Sequence, residues 1–553
     1  MLPARPGRSA GIVAGMPTVD RRRFLRTAGA LVAATGSAVA FGSLSGCSRS
    51  GSADGGHGAG GTTTTSGVTS SGWSELAASL AGTLVLPTSS QYASAHELYN
   101  QRFDGIEPAA VAYCQSPTDV QQCIAFARAH GVPLAPRSGG HSYGGYSTCR
   151  GLVIDVTSMA SVTVGPSGDS AVVGAGAHLI DVYQQLGNAG VLVPAGSCPT
   201  VGIAGLTLGG GVGVFGRKYG LTCDNLTGVQ MVTADGQVRM CSASENADLF
   251  WASQGGGGGN FGVVTSFTFR VHPIPSVSLF TLDWPWSAAA TMAGACQSWM
   301  PSAPDELWSD CQLLSNGATG SSPGYTARLT GVYVGESSAL TGLLQPLLSM
   351  LSSAGVSPTY QFVGSESYLD AMLSEGGCEG ESVAQCHLPS QSPAGMLART
   401  AFAAKSAYVS VPASSAGLQA VVAAVQSLQS SIPSASGGFV FDFYGGAINR
   451  VAPGATAFVH RDALYGVQYS VTWPDGSPSS VVSAANSWLA QSHTTFTPYA
   501  NGQAYQNYID PTLTGWEQAY YGANLPRLVS IKQRYDPDDV FHFAQSIPIH
   551  LGS

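Results

Sequence analysis

The sequence predicts an α+β fold: a first domain of short, alternating strands and helices, then an antiparallel sheet covered by helices. Three observations carry this. Between about residues 109 and 273, apolar runs of strand length alternate with runs of helical period, separated by glycine-rich loops. From about 276 to 500 the helical runs lengthen and become amphipathic, with β-rich runs between them. The chain, 553 residues with 44% hydrophobic content, is long enough for two or three domains around large cores.

Taken in order, residues 1–46 read as an address rather than as fold. Asp20, Arg21, Arg22, Arg23, Phe24 and Leu25 fit a twin-arginine export pattern, and the weakly apolar run from Thr27 to Leu44 ends in Leu44-Ser45-Gly46-Cys47. That ending is similar to a bacterial lipobox, which makes Cys47 the expected lipidated residue and the only membrane attachment. The run is too rich in Ala, Gly and Ser to span a bilayer well. Met16 competes with Met1 as the start. Residues 47–80, opening with Gly, Ser and Thr, read as a flexible tether.

Residues 81–275 form the expected first domain. A helix is expected from Asp119 to His130, where Val120, Cys123, Ile124 and Ala127 recur at helical spacing and Gly131 stops it. Leu152 to Asp155 reads as a strand. Leu226–Val232 and Gln237–Cys241 flank an Asp235-Gly236 hairpin turn. In residues 276–500, helices are expected at 339–354 and 416–431 and a strand at 439–443, giving a sheet with helices on one face.

Charge excludes one class of function. Charged residues make up 10% of the chain, against roughly 25% in typical soluble proteins, and the formal net charge is -9. With lysine only at Lys218, Lys405 and Lys532, no basic stripe exists for phosphate backbones, so no nucleic-acid partner is expected.

The chemistry-bearing residues are His141 and Cys198. Each lies in a glycine-rich loop, the first running from Arg137 to Gly145 and the second from Gly196 to Gly213. Such loops bring backbone N–H groups close to a ligand and form anion-binding concavities. An imidazole and a thiol in two such loops suggest a phosphate-bearing cofactor tethered twice. Gly211, Gly213 and Gly216, with Asp235 further on, also match a G-x-G-x-x-G expression. They follow a glycine loop instead of a buried strand, and Asp235 sits in the hairpin turn, so a dinucleotide-binding Rossmann unit is not expected.

This pairing, followed by five glycines at 255–259 and then Asn260-Phe261-Gly262, resembles the berberine-bridge-enzyme-like branch of FAD-linked oxidases, of the vanillyl-alcohol-oxidase type. The resemblance implies a two-part FAD-binding domain and a C-terminal segment, 501–553, that returns to it. It implies FAD held covalently, His141 on the flavin 8α-methyl carbon and Cys198 on C6. Cofactor contacts would come from Arg137, Ser138, Gly139, Gly140 and Ser142, from Gly202, Ala204, Gly205, Leu208 and Gly209, and from Gly262, Val264 and Asn507.

By the same resemblance, Asn507-Tyr508 is similar to a flavin-facing Asn-Tyr pair, which makes Tyr508 the first candidate for the base. Tyr505, taken as one strand repeat away, is the reserve; Tyr143 would bind substrate or tune Tyr508, and Asp442 would be an assisting carboxylate. Val201 stands where a small residue goes with oxygen access. The implied activity is oxidation of an alcohol, such as the anomeric hydroxyl of a sugar or oligosaccharide, with O2 reduced to H2O2. A flavin dehydrogenase using another acceptor, a secondary-metabolite oxidase, and a non-redox carbohydrate-binding lipoprotein remain open.

Eleven cysteines suit an exported protein. Setting aside Cys47 and Cys198 leaves an odd number, so at least one stays free. Cys378 with Cys386 is the first disulfide candidate and Cys296 with Cys311 the second. No C-x-x-C pair or histidine cluster at metal spacing is present, and no metal site is expected.

Overall fold

The computed structural model describes residues 67–319 and 322–552. The export pattern and the expected lipid site at Cys47 lie outside the described residues. Of the tether expected over 47–80, residues before 67 lie outside the described residues, and Ser70–Ser79 is a helix instead, capped by the Thr69 hydroxyl. Trp73 and Leu76, three apart on one face, are buried, and Trp73 packs 4.9 Å from Phe126. No helix among the described residues is long and apolar enough to cross a membrane.

The first domain holds two larger sheets and a two-stranded one, Val191–Leu192 with His272–Pro273. One orders the strands Thr83–Val85, Ala110–Tyr113, Leu152–Asp155 and Leu134–Arg137, the last three running parallel. Helix Pro117–His130 crosses between two of them. Ser116 caps its start, and Gly131, the stop expected from the sequence, ends it in the left-handed conformation at φ 62°. The second sheet is antiparallel, in the order Val162–Val164, Ser170–Gly174, Gly262–Arg270, Leu226–Thr233, Val238–Cys241. Its last hairpin turns on Asp235, whose carboxylate pairs with Arg239 at 2.6 Å. Residues 211–215 form a loop between two short helices, with no strand before them, so the G-x-G-x-x-G match has no Rossmann geometry.

The second domain is a seven-stranded antiparallel sheet ordered Tyr360–Glu366, Val277–Trp284, Ser322–Val334, Leu307–Thr319, Ser436–Phe443, Tyr465–Trp473, Ala401–Val409. Strand alternation separates its faces. Leu307, Cys311 and Leu313, with Phe439, Phe441, Tyr465 and Val467, pack under the helices Ala289–Trp299, Ser337–Ser353, Ser415–Ser431 and Ser479–Phe496. Trp308, Asp310, Asp442 and Gln468 stand on the opposite face and look toward the first domain.

The C-terminal segment packs back onto the first core through Leu528, Val529 and Ile531 of helix Leu525–Tyr535. Lys532 of that helix is fully buried. Its ammonium pairs with Asp536 at 2.7 Å and donates to the carbonyls of Asn260, at 2.9 Å, and Phe541, at 2.7 Å. Asn260 follows the five glycines, so this buried cation fixes the end of that loop.

Cys378 and Cys386 are joined in a disulfide. Cys296 and Cys311 are not. Both are free, buried thiols beside the Met292 sulfur, 3.6 Å from each, inside an apolar core that asks for no cross-link.

Candidate active site

Between the two domains lies a cleft of 310 Å³, floored by the glycine loops and reaching from Phe543 to Tyr508. Two close backbone approaches explain why glycine is needed there. A Cβ on Gly139 would stand 2.2 Å from the amide nitrogen of Gly202, so the His141 loop and the Cys198 loop touch through bare backbone. A Cβ on Gly209 would stand 2.0 Å from Asn507 Oδ1. Asn507 fills that space, donating to the Leu206 carbonyl and to the Tyr505 hydroxyl, both at 2.9 Å.

The contact between the loops brings His141 and Cys198 to one hydroxyl. Thr200 Oγ1 lies 2.9 Å from His141 Nε2 and 3.9 Å from Cys198 Sγ. The His141 ring stacks on Tyr99 with centroids 4.0 Å apart. Burial, reinforced by nearby His178, pushes the His141 pKa down to about 3, which keeps the imidazole neutral and nucleophilic. Burial also raises the Cys198 thiol, against hydrogen bonds from Thr200 and Val201 that favour the thiolate.

Arg137, which borders the cleft, is buried with its Nε 2.5 Å from Asp155, while its Nη1 is buried with no partner among the described residues. The Ser138 hydroxyl donates to the Ala175 carbonyl at 2.7 Å. Gly140, Ser142, Gly202, Ala204, Gly205, Leu208, Gly262 and Val264 all border the cleft, and Gly205 opens onto free space. A long cleft with a glycine floor, an unpaired guanidinium nitrogen and two nucleophiles at one end fits a flavin dinucleotide.

The far wall carries the tyrosines. Tyr508 stacks on Tyr143 with centroids 5.1 Å apart, and Tyr143 Oη accepts from Gln468 Nε2 at 2.7 Å. Tyr505 and Tyr508 are not related by a strand repeat. Gln506–Tyr508 is a 3₁₀ turn, in which residues three apart eclipse, and this brings the two rings to 4.9 Å. The Tyr505 hydroxyl accepts from Gly211 N at 3.0 Å, Val212 N at 3.4 Å and Asn507, so it acts as a clamp across the cofactor loop.

A second cavity of 150 Å³ adjoins the cleft and shares Trp308, Asp442, Tyr505 and Tyr508 with it. Asp442 and Asp310 stand directly opposite on neighbouring strands. Trp308 Nε1 donates to Asp442 at 2.7 Å, while Asp310 Oδ1 is buried with no partner among the described residues. Burial pushes both carboxyls up to about 7, and the neighbouring Asp310 adds to the shift of Asp442. Glu375, near Asp310, is pushed up to about 8, by burial first. Thr200, Asp310 and Gln468 were not singled out from the sequence. A threonine two residues after Cys198 is a local signal for the first, but the other two meet the site only through strand register.

The chain is similar to known proteins in both sequence and structure. The FAD binding domain family matches residues 108–242 and the berberine and berberine-like family matches residues 504–548. The chain is 34% identical to the uncharacterised FAD-linked oxidoreductase YgaK of Bacillus subtilis (strain 168), over 80% of this chain and 91% of that protein. It is 30% identical to a xylooligosaccharide oxidase of Thermothelomyces thermophilus, covering 80% and 87%. Among solved structures, the BBE-like 1 protein of Physcomitrella patens superposes with a TM-score of 0.77 at 34% identity, over 86% of this chain and 99% of that one. A cleft shaped for a flavin and a relative matched over nearly its whole length lead to one assignment: the chain belongs to the berberine-bridge-enzyme-like family of FAD-dependent oxidoreductases.

Proposed function

We propose that this protein is an oxidase of sugar or oligosaccharide alcohols, with FAD bonded to both His141 and Cys198. The observation that carries the reading is the single Thr200 hydroxyl within reach of both nucleophiles at the end of the cleft. With Nε2 of His141 occupied by Thr200, its Nδ1 is the lone pair left for the bond to the 8α carbon. When bound, FAD supplies the two-electron acceptor, and O2 reoxidises it to give H2O2.

The chain's own residues manage the substrate proton. Burial, then Tyr143 and Asp442, raise the Tyr508 hydroxyl well above its usual range, so Tyr508 keeps its proton and orients the substrate hydroxyl. Asp442, at about 7, is matched to accept that proton near neutrality. This gives Asp442 the role that sequence reasoning put first on Tyr508. Stacking with Tyr143, itself fixed by Gln468, holds Tyr508 in place.

A sugar substrate is supported by the xylooligosaccharide oxidase among the relatives and by the polar wall of the second cavity, where Gln468, Asp310 and Ser406 meet Trp308. Export by the twin-arginine route, with a lipid on Cys47, accords with a cofactor tethered before export. The test is a panel of mono- and oligosaccharides and of aromatic alcohols, read as anaerobic bleaching of the flavin and then as peroxide release in air. Bleaching by sugars with stoichiometric peroxide is the expected result. Bleaching without peroxide identifies a dehydrogenase, and no bleaching by any sugar removes the substrate class.

A further inference from the structure

Outside the cleft, tertiary folding gathers a second group of ligand-type side chains. His178 directly precedes helix Leu179–Asn188 and Asp181 lies in its first turn, so the two share one helical face. His387 arrives from the second domain, immediately after the Cys378–Cys386 disulfide. Asp181 Oδ2 lies 3.1 Å from His387 Nε2 and 3.8 Å from His178 Nδ1, and one donor atom from each residue falls within 4.8 Å of the others.

The hydrogen bonding of His387 leaves its second nitrogen to share either a proton or a cation with Asp181. Its Nδ1 is 2.7 Å from the Val383 carbonyl, which only accepts, so Nδ1 carries a proton. Nε2 of the neutral ring then turns a lone pair toward a carboxylate oxygen. Only a proton or a metal cation placed between them relieves that opposition. A histidine whose far nitrogen is pinned to a backbone carbonyl is the usual outer arrangement of a metal ligand.

We propose that His178, Asp181 and His387 bind a divalent transition-metal cation, of which zinc is the best match. Tetrahedral zinc with bonds of about 2.0–2.1 Å spaces its donor atoms about 3.3 Å apart, between the two separations found here. Two imidazoles and one carboxylate are a borderline-soft donor set that favours zinc over magnesium or calcium. The histidine side chains are 13% and 6% exposed while Asp181 is 33% exposed, which leaves a fourth position for water on the solvent side. His178 Nε2 lies 3.1 Å from Gln391 Nε2. Turning that amide, at the expense of a 3.2 Å bond from Leu388 N, presents its oxygen to Nε2–H once Nδ1 holds the cation.

The site joins the two domains beside the cofactor loops. Leu179 N, next to His178, donates to the Val201 carbonyl at 3.0 Å, three residues from Cys198. The cation is therefore a structural staple, and the disulfide holds its third ligand in place. It takes no part in the redox chemistry.

The test uses the untagged holoenzyme, stripped with EDTA and then titrated with zinc or cobalt(II). The expected results are about one zinc per chain by elemental mass spectrometry, intense cobalt visible bands of a tetrahedral site, and a raised melting temperature with zinc. Asp181→Asn and His387→Gln should each weaken zinc binding at least roughly ten-fold, as loss of one ligand does, while retaining the flavin spectrum. Zinc below stoichiometric amounts at micromolar free metal overturns the site. So does stoichiometric binding that both substitutions leave unchanged.

Discussion

Thr200 Oγ1 lies 2.9 Å from Nε2 of His141, and the same oxygen is 3.9 Å from the Cys198 sulfur. One hydroxyl thus orients both groups proposed to hold the flavin. Thr200→Val keeps the side-chain volume and removes that oxygen. A neutral hydrogen bond contributes about 1 kcal/mol, so covalent incorporation should slow roughly five-fold. Chromatography of acid-released flavin during reconstitution checks this, and wild-type kinetics would remove Thr200 from the role.

Asp442 should set the acidic limb of the pH profile. Its folded pKa, about 7, means that the base form grows in as pH rises, so kcat/KM should increase through neutrality and level off above it. Asp442→Asn should lose that limb and about 10²–10⁴ of the rate. Asp310→Asn removes a neighbouring negative charge that holds the Asp442 pKa up. The limb should therefore move to lower pH, with the plateau rate retained.

The same carboxyls have a stability consequence of opposite sign. Their folded pKa values lie above the ordinary aspartate value of 3.8, so between about 4 and 7 the folded state binds more protons than the unfolded one. Stability from these groups is complete below pH 4 and is lost as pH rises through 7. Asp310→Asn and Asp442→Asn should flatten that slope in denaturant titrations taken across this window.

Tyr508→Phe removes one neutral hydrogen bond to the substrate hydroxyl, worth about 1 kcal/mol, so anaerobic flavin reduction should slow roughly five-fold while the flavin spectrum stays nearly intact. Tyr505→Phe should act differently. It leaves the amides of Gly211 and Val212 without their acceptor, so it should disturb the flavin environment and its spectrum first. Equal spectral change in both variants would contradict this division.

Lys532 holds the glycine loop from inside the C-terminal helix. Lys532→Met leaves Asp536 buried and unpaired, and should cost about 3–5 kcal/mol of stability. A melting temperature within a degree or two of wild type would contradict the clasp.

The elements readable in the sequence were those with local signals. The helix ending at Gly131, the Asp235-Gly236 hairpin and the disulfide between Cys378 and Cys386 follow from capping, turn chemistry and close spacing. The 3₁₀ turn at Gln506–Tyr508 was not readable, because a three-residue segment is too short to show a period. Asp310 and Gln468 were hidden for another reason. Each is an ordinary polar residue on an alternating strand, and only the order of the seven-stranded sheet turns it toward the cleft. His387 was hidden because 206 positions of sequence separate it from Asp181, which only tertiary folding brings to it.

The central claim is that one flavin is bonded to both loops. Proteolysis of the denatured holoenzyme followed by mass spectrometry tests it most directly. The account predicts one flavin-bearing species in which the His141 peptide and the Cys198 peptide are joined through the same isoalloxazine ring. Flavin recovered free in the supernatant, or attached to a single peptide with the other residue unmodified, would contradict it.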